Sequence, residues 1–345
     1  NKSTYRAELR ETVMECEAMR SDANNPVDIT LGEYIKKKYD TDFNSYLEDL
    51  GIDSSRDTVN NIFTKPTVDQ EARWLVPEIY RSALRLGMRK APIFSSIIIG
   101  EQSVTQTSFK VPHWNMSDAT PEYVGEAETI KKGNVSFGQK TIEIRKMGKG
   151  ITIPYEVKQY VPINIVGIYL QDFGIKLGMG LDNLAIDCLI NGEQLDGSES
   201  CAVIGVATVN TLAYKDLLKV WIRLSRLGRF GNTIIAGENM AIDTLDLDEF
   251  KNRKQGTTDA TLLLKSPVPN SVNYFVHGSV PTNQSIIVDS SSTLIKYNAQ
   301  PLLVESEKIV SNQTESTYAS LTTGFGIVYR DGRIIVDRSI AFSSN

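Results

Sequence analysis

The sequence has 345 residues, of which 41% are hydrophobic, 23% charged and 8% aromatic, with a formal net charge of −5 at pH 7. This composition is that of a folded globular chain and excludes disordered, collagen-like and low-complexity proteins. The longest apolar runs are much shorter than the roughly 20 residues that a membrane-spanning helix needs. Cys16, Cys188 and Cys201 match neither a disulfide framework nor a metal-binding motif, so we expect buried, free thiols.

The charge is unevenly distributed along the chain. Residues 1–60 hold 8 basic and 13 acidic side chains, so this stretch accounts for the whole net charge and the remainder is balanced. A protein that binds nucleic acid specifically normally carries a basic patch, because neutralising phosphates drives its affinity. The sequence shows no such patch, which argues against specific nucleic-acid binding.

The first 60 residues are predicted to form short helices. Tyr5, Leu9 and Val13 recur at helical spacing within residues 1–20, and further helices are predicted at 31–39 and 43–50. None of these segments carries a strong core signature. We therefore predict an arm whose apolar stripes contact another molecule.

Residues 104–153 favour β-structure and alternate between apolar and polar side chains, which predicts a long two-stranded ribbon. Its strands are predicted at 104–111, 135–144 and 150–154, with a polar tip at 112–133. Gly148-Lys149-Gly150 is predicted to be a turn. An isolated ribbon is marginally stable, so this one needs a partner.

A long helix is predicted over residues 162–190, because apolar residues recur there every three or four positions. Pro162 suits its first turn, and Asn191-Gly192 suits its end. Several interior glycines predict a close backbone neighbour or a bend. We predict that one face of this helix packs against a sheet through Phe173, Leu177, Leu181 and Leu184.

The remaining segments alternate between helices and strands. An amphipathic helix is predicted up to residue 227, ended by Gly228, and is followed by a strand at 233–236, a helix at 239–252 and strands at 274–276 and 285–289. Two β-runs at 317–329 and 333–342 are joined by Arg330-Asp331-Gly332, and an Asp-Gly pair in this position is typical of a hairpin.

Candidate catalytic residues are few. His113 and His277 are the two histidines, and neither lies near a Cys, Asp or Ser arrangement typical of catalysis, so both are interpreted as surface or packing residues. No nucleotide-binding, hydrolase or zinc-protease motif occurs. The acidic run at 246–249 could bind a divalent cation, although a solvated helix face is the simpler interpretation. We therefore predict no enzyme, no catalytic residue, no cofactor and no metal.

The order of the predicted elements resembles that of the major capsid proteins of tailed bacteriophages, the Hong Kong 97 fold. The resemblance covers about residues 70–345 and depends on the order and spacing of several stretches more than on any one of them. Residues 121–128 are similar to the extended-loop segment, and residues 146–157 followed by 163–192 are similar to the returning strand and the long helix. Residues 221–239 are similar to the opening of the axial domain. Residues 285–297, 325–333 and Ala341-Phe342 are similar to the C-terminal ending.

The resemblance implies an α+β fold with five parts. These are an N-terminal arm at 1–70, a connection into the peripheral domain at 71–103, an extended β-hairpin loop at 104–153, a peripheral domain at 154–210 and 317–345 that contains the long helix at 162–190, and an axial domain at 211–316.

The resemblance also implies a structural subunit that assembles with itself into pentamers and hexamers of an icosahedral or prolate head around double-stranded DNA. Implied partners are a portal, a scaffold or assembly protease, and decoration proteins, with DNA contacted only non-specifically and no membrane. The protein would belong to the virion and assemble in the host bacterial cytoplasm. Inter-subunit contacts are expected from the loop and the arm, at Glu122, Tyr123, Glu126, Glu128, Lys131 and Lys132, and at Tyr5, Leu9 and Val13.

Two other interpretations stay open. An encapsulin-like shell of a bacterial nanocompartment would share the fold, whereas an α/β hydrolase or transferase would need a His, Cys or Ser constellation that the sequence does not supply. The first residue, Asn1, is expected to reflect a longer gene product that is clipped during maturation, which favours the phage interpretation over the nanocompartment. Removal of Met alone, or a longer disordered tail, is the alternative explanation.

Overall fold

The structure is a computed structural model whose contacts divide into two units. Unit 1 comprises Asn1–Ile93, Lys146–Asp182 and Gln300–Thr322, and unit 2 comprises Phe94–Arg145, Asn183–Ala299 and Thr323–Asn345. The structure describes residues 8–21, 29–64, 75–90, 92–106, 108–110, 113–114, 123–126, 129, 135–136, 141–193, 199–248 and 272–342.

The helices of the described residues include several predicted from the sequence, with boundaries that differ by a few residues. They are α1 (Leu9–Ser21), α2 (Leu31–Tyr39), α3 (Phe43–Asp49), α4 (Val59–Thr64), α5 (Leu75–Lys90), α6 (Phe94–Ile97), α7 (Tyr155–Tyr160), α8 (Ile163–Asn191), α9 (Tyr214–Arg226) and α10 (Glu238–Asp246).

The strands of the described residues form two larger sheets and a ribbon. They are β1 (Ile98–Ser103), β2 (Ser108–Lys110), β3 (His113–Trp114), β4 (Val135–Ser136), β5 (Thr141–Glu143), β6 (Arg145–Pro154), β7 (Val203–Val206), β8 (Thr233–Ala236), β9 (Asn273–Val276), β10 (Gln284–Val288), β11 (Leu294–Ile309), β12 (Thr314–Ile327) and β13 (Arg333–Ala341).

The core of unit 1 is a single apolar cluster to which the N-terminal helices contribute. Leu9, Leu31 and Ile35 are buried in it together with Leu84 of α5 and Leu170 of α8. The helix α2 begins at Leu31, as predicted, because Thr30 caps it: the Thr30 hydroxyl accepts the Glu33 N–H while the Glu33 carboxylate accepts the Thr30 N–H.

The prediction that Leu9 contacts another subunit is wrong, because its side chain is 1% exposed inside the core of its own chain. Val13 is half-buried against the same cluster, and Tyr5 lies outside the described residues. The sequence analysis treated each short helix separately, but three of them pack together with α5 and the long helix. Some of their acidic side chains also form ion pairs, such as Glu15 with Lys38, and Arg20 of α1 forms a buried ion pair with Glu78 of α5.

The long helix α8 matches its predicted span to within one residue, and it crosses α5 with the two backbones in contact. A Cβ atom added to Gly174 would lie 2.2 Å from the carbonyl oxygen of Leu84, and one added to Gly87 would lie 2.1 Å from that of Gln171. The expectation that glycines of this helix mark a close backbone neighbour is therefore confirmed at Gly174. Gly192 ends the helix with a φ of +90°, as its sequence context predicts.

The two larger sheets differ in the order of their strands. One sheet has the order β1-β11-β12-β6, and the other has the order β7-β13-β10-β8-β9. In the second sheet β10 pairs antiparallel with both β13 and β8, while β13 pairs parallel with β7. Gly148 and Gly150 lie inside β6 and not in a turn as predicted, because β6 passes close to β12, where a Cβ at Gly150 would meet the Tyr318 ring.

The hairpin predicted at Arg330-Asp331-Gly332 is wrong. These residues form a short 3₁₀ turn, and the strands on either side, β12 and β13, belong to different sheets. The physical reason is burial: the first five residues of β13 are buried, so this strand occupies a position inside its sheet, between β7 and β10. The segment of β13 was predicted to belong to the peripheral domain, yet the strand pairs with β10, whose segment was predicted to belong to the axial domain.

A buried arginine of β13 satisfies the last carbonyls of α8. The Arg333 guanidinium donates hydrogen bonds to the carbonyl oxygens of Cys188 (3.0 Å) and Leu189, and to that of Glu199 (2.6 Å). The end of a helix leaves its final carbonyls without helical partners, so a donor from elsewhere must replace them. All of these residues belong to unit 2.

Candidate interaction surfaces

The side chains considered as catalytic candidates do not form a reactive group among the described residues. His277 is half-buried, and its Nδ1 accepts the backbone N–H of Ser279 at 3.2 Å, while the Ser279 hydroxyl donates to Asn183. His113 lies in the two-residue strand β3, and its side chain is outside the described residues. Asp246 ends α10, Asp248 is exposed, and Glu249 is not among the described residues.

Two further observations bear on function. Across the described part of the chain, no three His, Cys, Asp or Glu side chains come together in a group that could hold a metal ion. Of the helices that the structure describes, none combines the length and the apolar character required to cross a membrane.

The cysteines are buried and free, as predicted. Burial raises the pKa of the Cys16 and Cys201 thiols to about 11 in each case. The thiolate is the nucleophilic form, so these two side chains stay protonated and unreactive near neutral pH. Cys188 is buried on α8, and its thiol donates to the carbonyl oxygen of Phe325.

A buried carboxylate organises the turn that follows β10. Asp289 accepts hydrogen bonds from the Ser291 and Ser292 hydroxyls (2.5 and 2.7 Å) and from the backbone N–H groups of Ser291 and Phe230. Burial alone would raise the pKa of the Asp289 carboxyl, but these hydrogen bonds stabilise the charged form and together lower it. The carboxylate therefore acts as a structural anchor of unit 2.

The predicted ribbon is present in the described strands. β2 pairs antiparallel with β5, with Phe109 and Ile142 as backbone partners, and β3 pairs antiparallel with β4 further along. At its base Ile142 and Tyr297 are buried in a small cluster of unit 2. The ribbon ends before β6, which belongs to a sheet, so it is shorter than the predicted 104–153.

The tip of the ribbon holds the predicted loop contacts that can be located. Tyr123 is fully exposed and Glu126 is exposed, next to the exposed Val124. The other predicted loop contacts, Glu122, Glu128, Lys131 and Lys132, lie outside the described residues.

The long helix has a buried side and an exposed apolar side. Phe173, Leu177 and Leu181 are buried, and Leu184 is half-buried. On the other side Ile168 and Tyr169 are 62% and 61% exposed. Exposed apolar side chains continue along this part of unit 1 at Tyr160, Ile165 and Met179.

This exposed face was not predicted from the sequence, although its signal is readable there. The prediction covered only the stripe of apolar residues that repeats at 3.6-residue spacing, which was placed in the core. Residues 163–170 are apolar at almost every position, and a helix that is apolar all round is normally buried on all sides. The regular spacing of the buried stripe was taken to account for the apolar residues of α8, and the exposed apolar side was therefore not predicted.

No protein-family model matches the chain, and no curated protein matches its sequence. Solved structures do match. A virus-like particle from Pyrococcus furiosus is 14% identical with a TM-score of 0.51, and the match covers 75% of this chain and 98% of that one. The capsid of a native GTA particle is 11% identical with a TM-score of 0.53, covering 71% of this chain and 89% of that one. A structure from Mycobacterium phage Che8 is 10% identical with a TM-score of 0.51, covering 68% of this chain and 85% of that one.

These matches define the class of fold. The chain has an α+β fold of the Hong Kong 97 capsid type, as predicted from the order of its elements. At 10–14% identity the likeness concerns the fold alone.

Proposed function

We propose that this chain is the major structural subunit of a tailed-phage head, which self-assembles into pentamers and hexamers around double-stranded DNA. The fold shared with a capsid and a virus-like particle supports the proposal. The observation that carries it is the exposed apolar face of α8, around Ile168 and Tyr169.

A shell explains why this face is apolar. One side of α8 is already covered by the core of unit 1, so the exposed side chains are not left over from an incomplete core. Contiguous exposed apolar surface marks a protein interface, and neighbouring copies of the chain would cover it. We assign the covering role to the extended loop of a neighbouring copy, because the tip residues Tyr123 and Val124 are exposed and the ribbon needs a partner.

The charge of the chain suits this function. A basic inner wall would bind packaged DNA strongly and in a salt-dependent way, whereas this chain has a net charge of −5. We propose contacts with DNA that are non-specific only, and partnership with a portal, a scaffold or assembly protease, and decoration proteins. Assembly would take place in the host cytoplasm, and the finished protein would reside in the virion as a structural component without enzymatic activity.

The purified chain should form closed particles or capsomer rings visible by negative-stain microscopy. Nuclease-protected double-stranded DNA in particles from infected cells is the result expected for a phage head. Enclosed protein cargo without DNA would instead support the encapsulin-like alternative. A chain that stays monomeric at all concentrations would refute both.

The role of the exposed helix face can be tested with one pair of substitutions. Ile168→Glu places a charge on a surface that assembly covers, and we expect the subunit concentration needed for assembly to rise at least tenfold. Ile168→Leu keeps the side chain apolar and should assemble as the parent does. Hydrogen exchange at residues 123–126 should slow on assembly, and equal exchange in free and assembled subunits would contradict the assigned loop contact.

A further inference from the structure

Unit 2 carries an exposed basic surface along α9 and the loop that follows it. Ile222 and Phe230 are 53% and 59% exposed, and Leu227 lies exposed between them. Arg223 and Arg226 are exposed beside them. We call these five residues the basic surface.

A second exposed surface of unit 2 follows α10 and has the opposite charge. Ile242 is 60% exposed, and Leu245, one turn further along the helix, is exposed as well. Glu238 and Asp248 are exposed on the same element and just beyond its end. We call these four residues the acidic surface.

Neither surface is left over from a core that the chain could complete by itself. The inward side of α9 is buried through Leu217, Val220 and Leu224, and that of α10 through Met240 and Ala241. Both helices belong to the apolar cluster that covers the five-stranded sheet. The exposed isoleucines therefore lie on the sides of the helices that the described residues leave uncovered.

The arginines of the basic surface are available for a contact between molecules. Among the described residues no ion pair joins Arg223 or Arg226 to a carboxylate, although other basic side chains of unit 2, such as Lys219 and Arg338, have such partners. An exposed charge next to exposed apolar area is the usual make-up of an interface, in which the apolar centre supplies affinity and the charges select the partner.

The two surfaces carry opposite charges, so each attracts the other and repels the same surface on another copy. Pairing two basic surfaces or two acidic surfaces about a twofold axis would bring like charges together. A head-to-tail contact matches opposite charges at each step, and a heterologous contact of this kind makes a ring where the rotation between copies closes and an open filament where it does not. The two helices also pack against neighbouring strands, α9 on β13 and α10 on β10, so one unit presents both surfaces.

We propose that the basic surface of one copy binds the acidic surface of the next copy, and that this contact builds the ring of unit 2 copies within a capsomer. The proposal rests on the self-assembly proposed above and names the surfaces that carry it. It commits to a second copy of this chain as the partner.

Charge exchange tests the pairing directly. The first variant, Arg223→Glu with Arg226→Glu, makes both surfaces acidic, and the second, Glu238→Arg with Asp248→Arg, makes both basic. We expect each to need at least a tenfold higher subunit concentration for assembly. Lys36→Glu with Lys37→Glu, two exposed positions on α2 of unit 1, changes the net charge as the first variant does and should assemble normally.

Two rescue experiments separate lost pairing from damaged subunits. A chain carrying all four substitutions has complementary surfaces again and should recover assembly. A mixture of the two double variants should form rings in which the variants alternate, and alternation closes only rings with an even number of copies. Hexamers without pentamers are therefore expected from the mixture.

The outcomes are distinct. Double variants that assemble as readily as the Lys36→Glu, Lys37→Glu control would overturn the pairing. Loss of assembly that neither the fourfold variant nor the mixture restores would overturn it as well. If the unsubstituted chain does not self-associate, the proposed function itself fails.

Discussion

Because α5 and α8 cross closely, replacing two glycines of α8 with alanine should change the free energy of unfolding in opposite directions. At Gly174 a Cβ atom would lie 2.2 Å from the Leu84 carbonyl oxygen and 3.0 Å from the Gly87 Cα atom. At Gly167 a Cβ atom would meet nothing within 4 Å. Replacing each glycine with alanine therefore adds the same methyl group to a closed site and to an open one.

The magnitude follows from the distances. A Cβ atom 2.2 Å from a backbone oxygen cannot be accommodated by rotating a side chain. At Gly174 the two helices must therefore separate by roughly 1 Å, and a gap of this size removes about a quarter to a half of the local dispersion energy. Overpacking of this kind costs up to about 3 kcal/mol. Better helix formation by alanine returns about 0.5–1 kcal/mol. We therefore expect Gly174→Ala to lower the free energy of unfolding by about 2 kcal/mol, and Gly167→Ala to raise it by about 0.5–1 kcal/mol.

Urea unfolding of the unassembled chain, followed by its helical circular dichroism signal, measures both values under the same conditions. The unsubstituted chain provides the reference, and the Gly167→Ala variant controls for helix propensity. If Gly174→Ala stabilised the chain as much as Gly167→Ala, the close crossing of the two helices would be wrong.

Three further predictions concern buried groups. Leu181→Ala should lower the free energy of unfolding by about 2–5 kcal/mol because it leaves a cavity, and unchanged urea melting would contradict the burial of this side chain. Asp289→Asn should lower the free energy of unfolding at pH 7. Since folding lowers the pKa of this carboxyl, the difference in unfolding free energy between the two proteins should persist above the unfolded-state pKa of about 3.9 and shrink as the pH falls further. A difference that grew in acid would refute this. Cys16 and Cys201 should react with a thiol reagent only after unfolding, because burial keeps both thiols protonated, and rapid labelling of the native chain would contradict their placement.

Local signals in the sequence predicted many of the elements. The glycine at position 192 and the apolar spacing of the long helix are properties of neighbouring residues, and they placed the bounds of that helix to within one residue. The strand Thr233–Ala236 was predicted with its observed bounds. Such signals act over a few residues and do not depend on the rest of the chain.

The errors arose where distant parts of the chain decide the structure. The helix Leu75–Lys90 was treated as a connection, although it supplies Glu78 to the buried ion pair and Gly87 to the helix crossing. Because the contribution of this helix to the core was not predicted, the N-terminal helices were expected to have no core within their own chain. The place of β13 depends on strands far away in sequence, so the local Asp-Gly signal predicted a hairpin that does not form.

The candidate surfaces were only partly predictable for the same reason. The exposed tip at Tyr123 follows from the polar composition of the loop. The exposed side of α8 and the two charged surfaces of unit 2 are defined by what the core leaves uncovered. Leu224 and Leu227 share the apolar spacing of α9 in the sequence, and only the packed structure shows that Leu224 is buried and Leu227 exposed.

The Arg333 cap makes unit 2 depend on a segment that is synthesised long after the end of α8. The carbonyl groups of Cys188 and Leu189 lack their hydrogen bonds to Arg333 until that residue has been synthesised, 145 and 144 residues later. The strand that carries it, β13, also joins β7 to β10, so the sheet stays open until that strand is made. A chain that ends before β13 therefore lacks the finished surfaces of unit 2. Under the proposed function, such a truncated chain would be kept out of a shell.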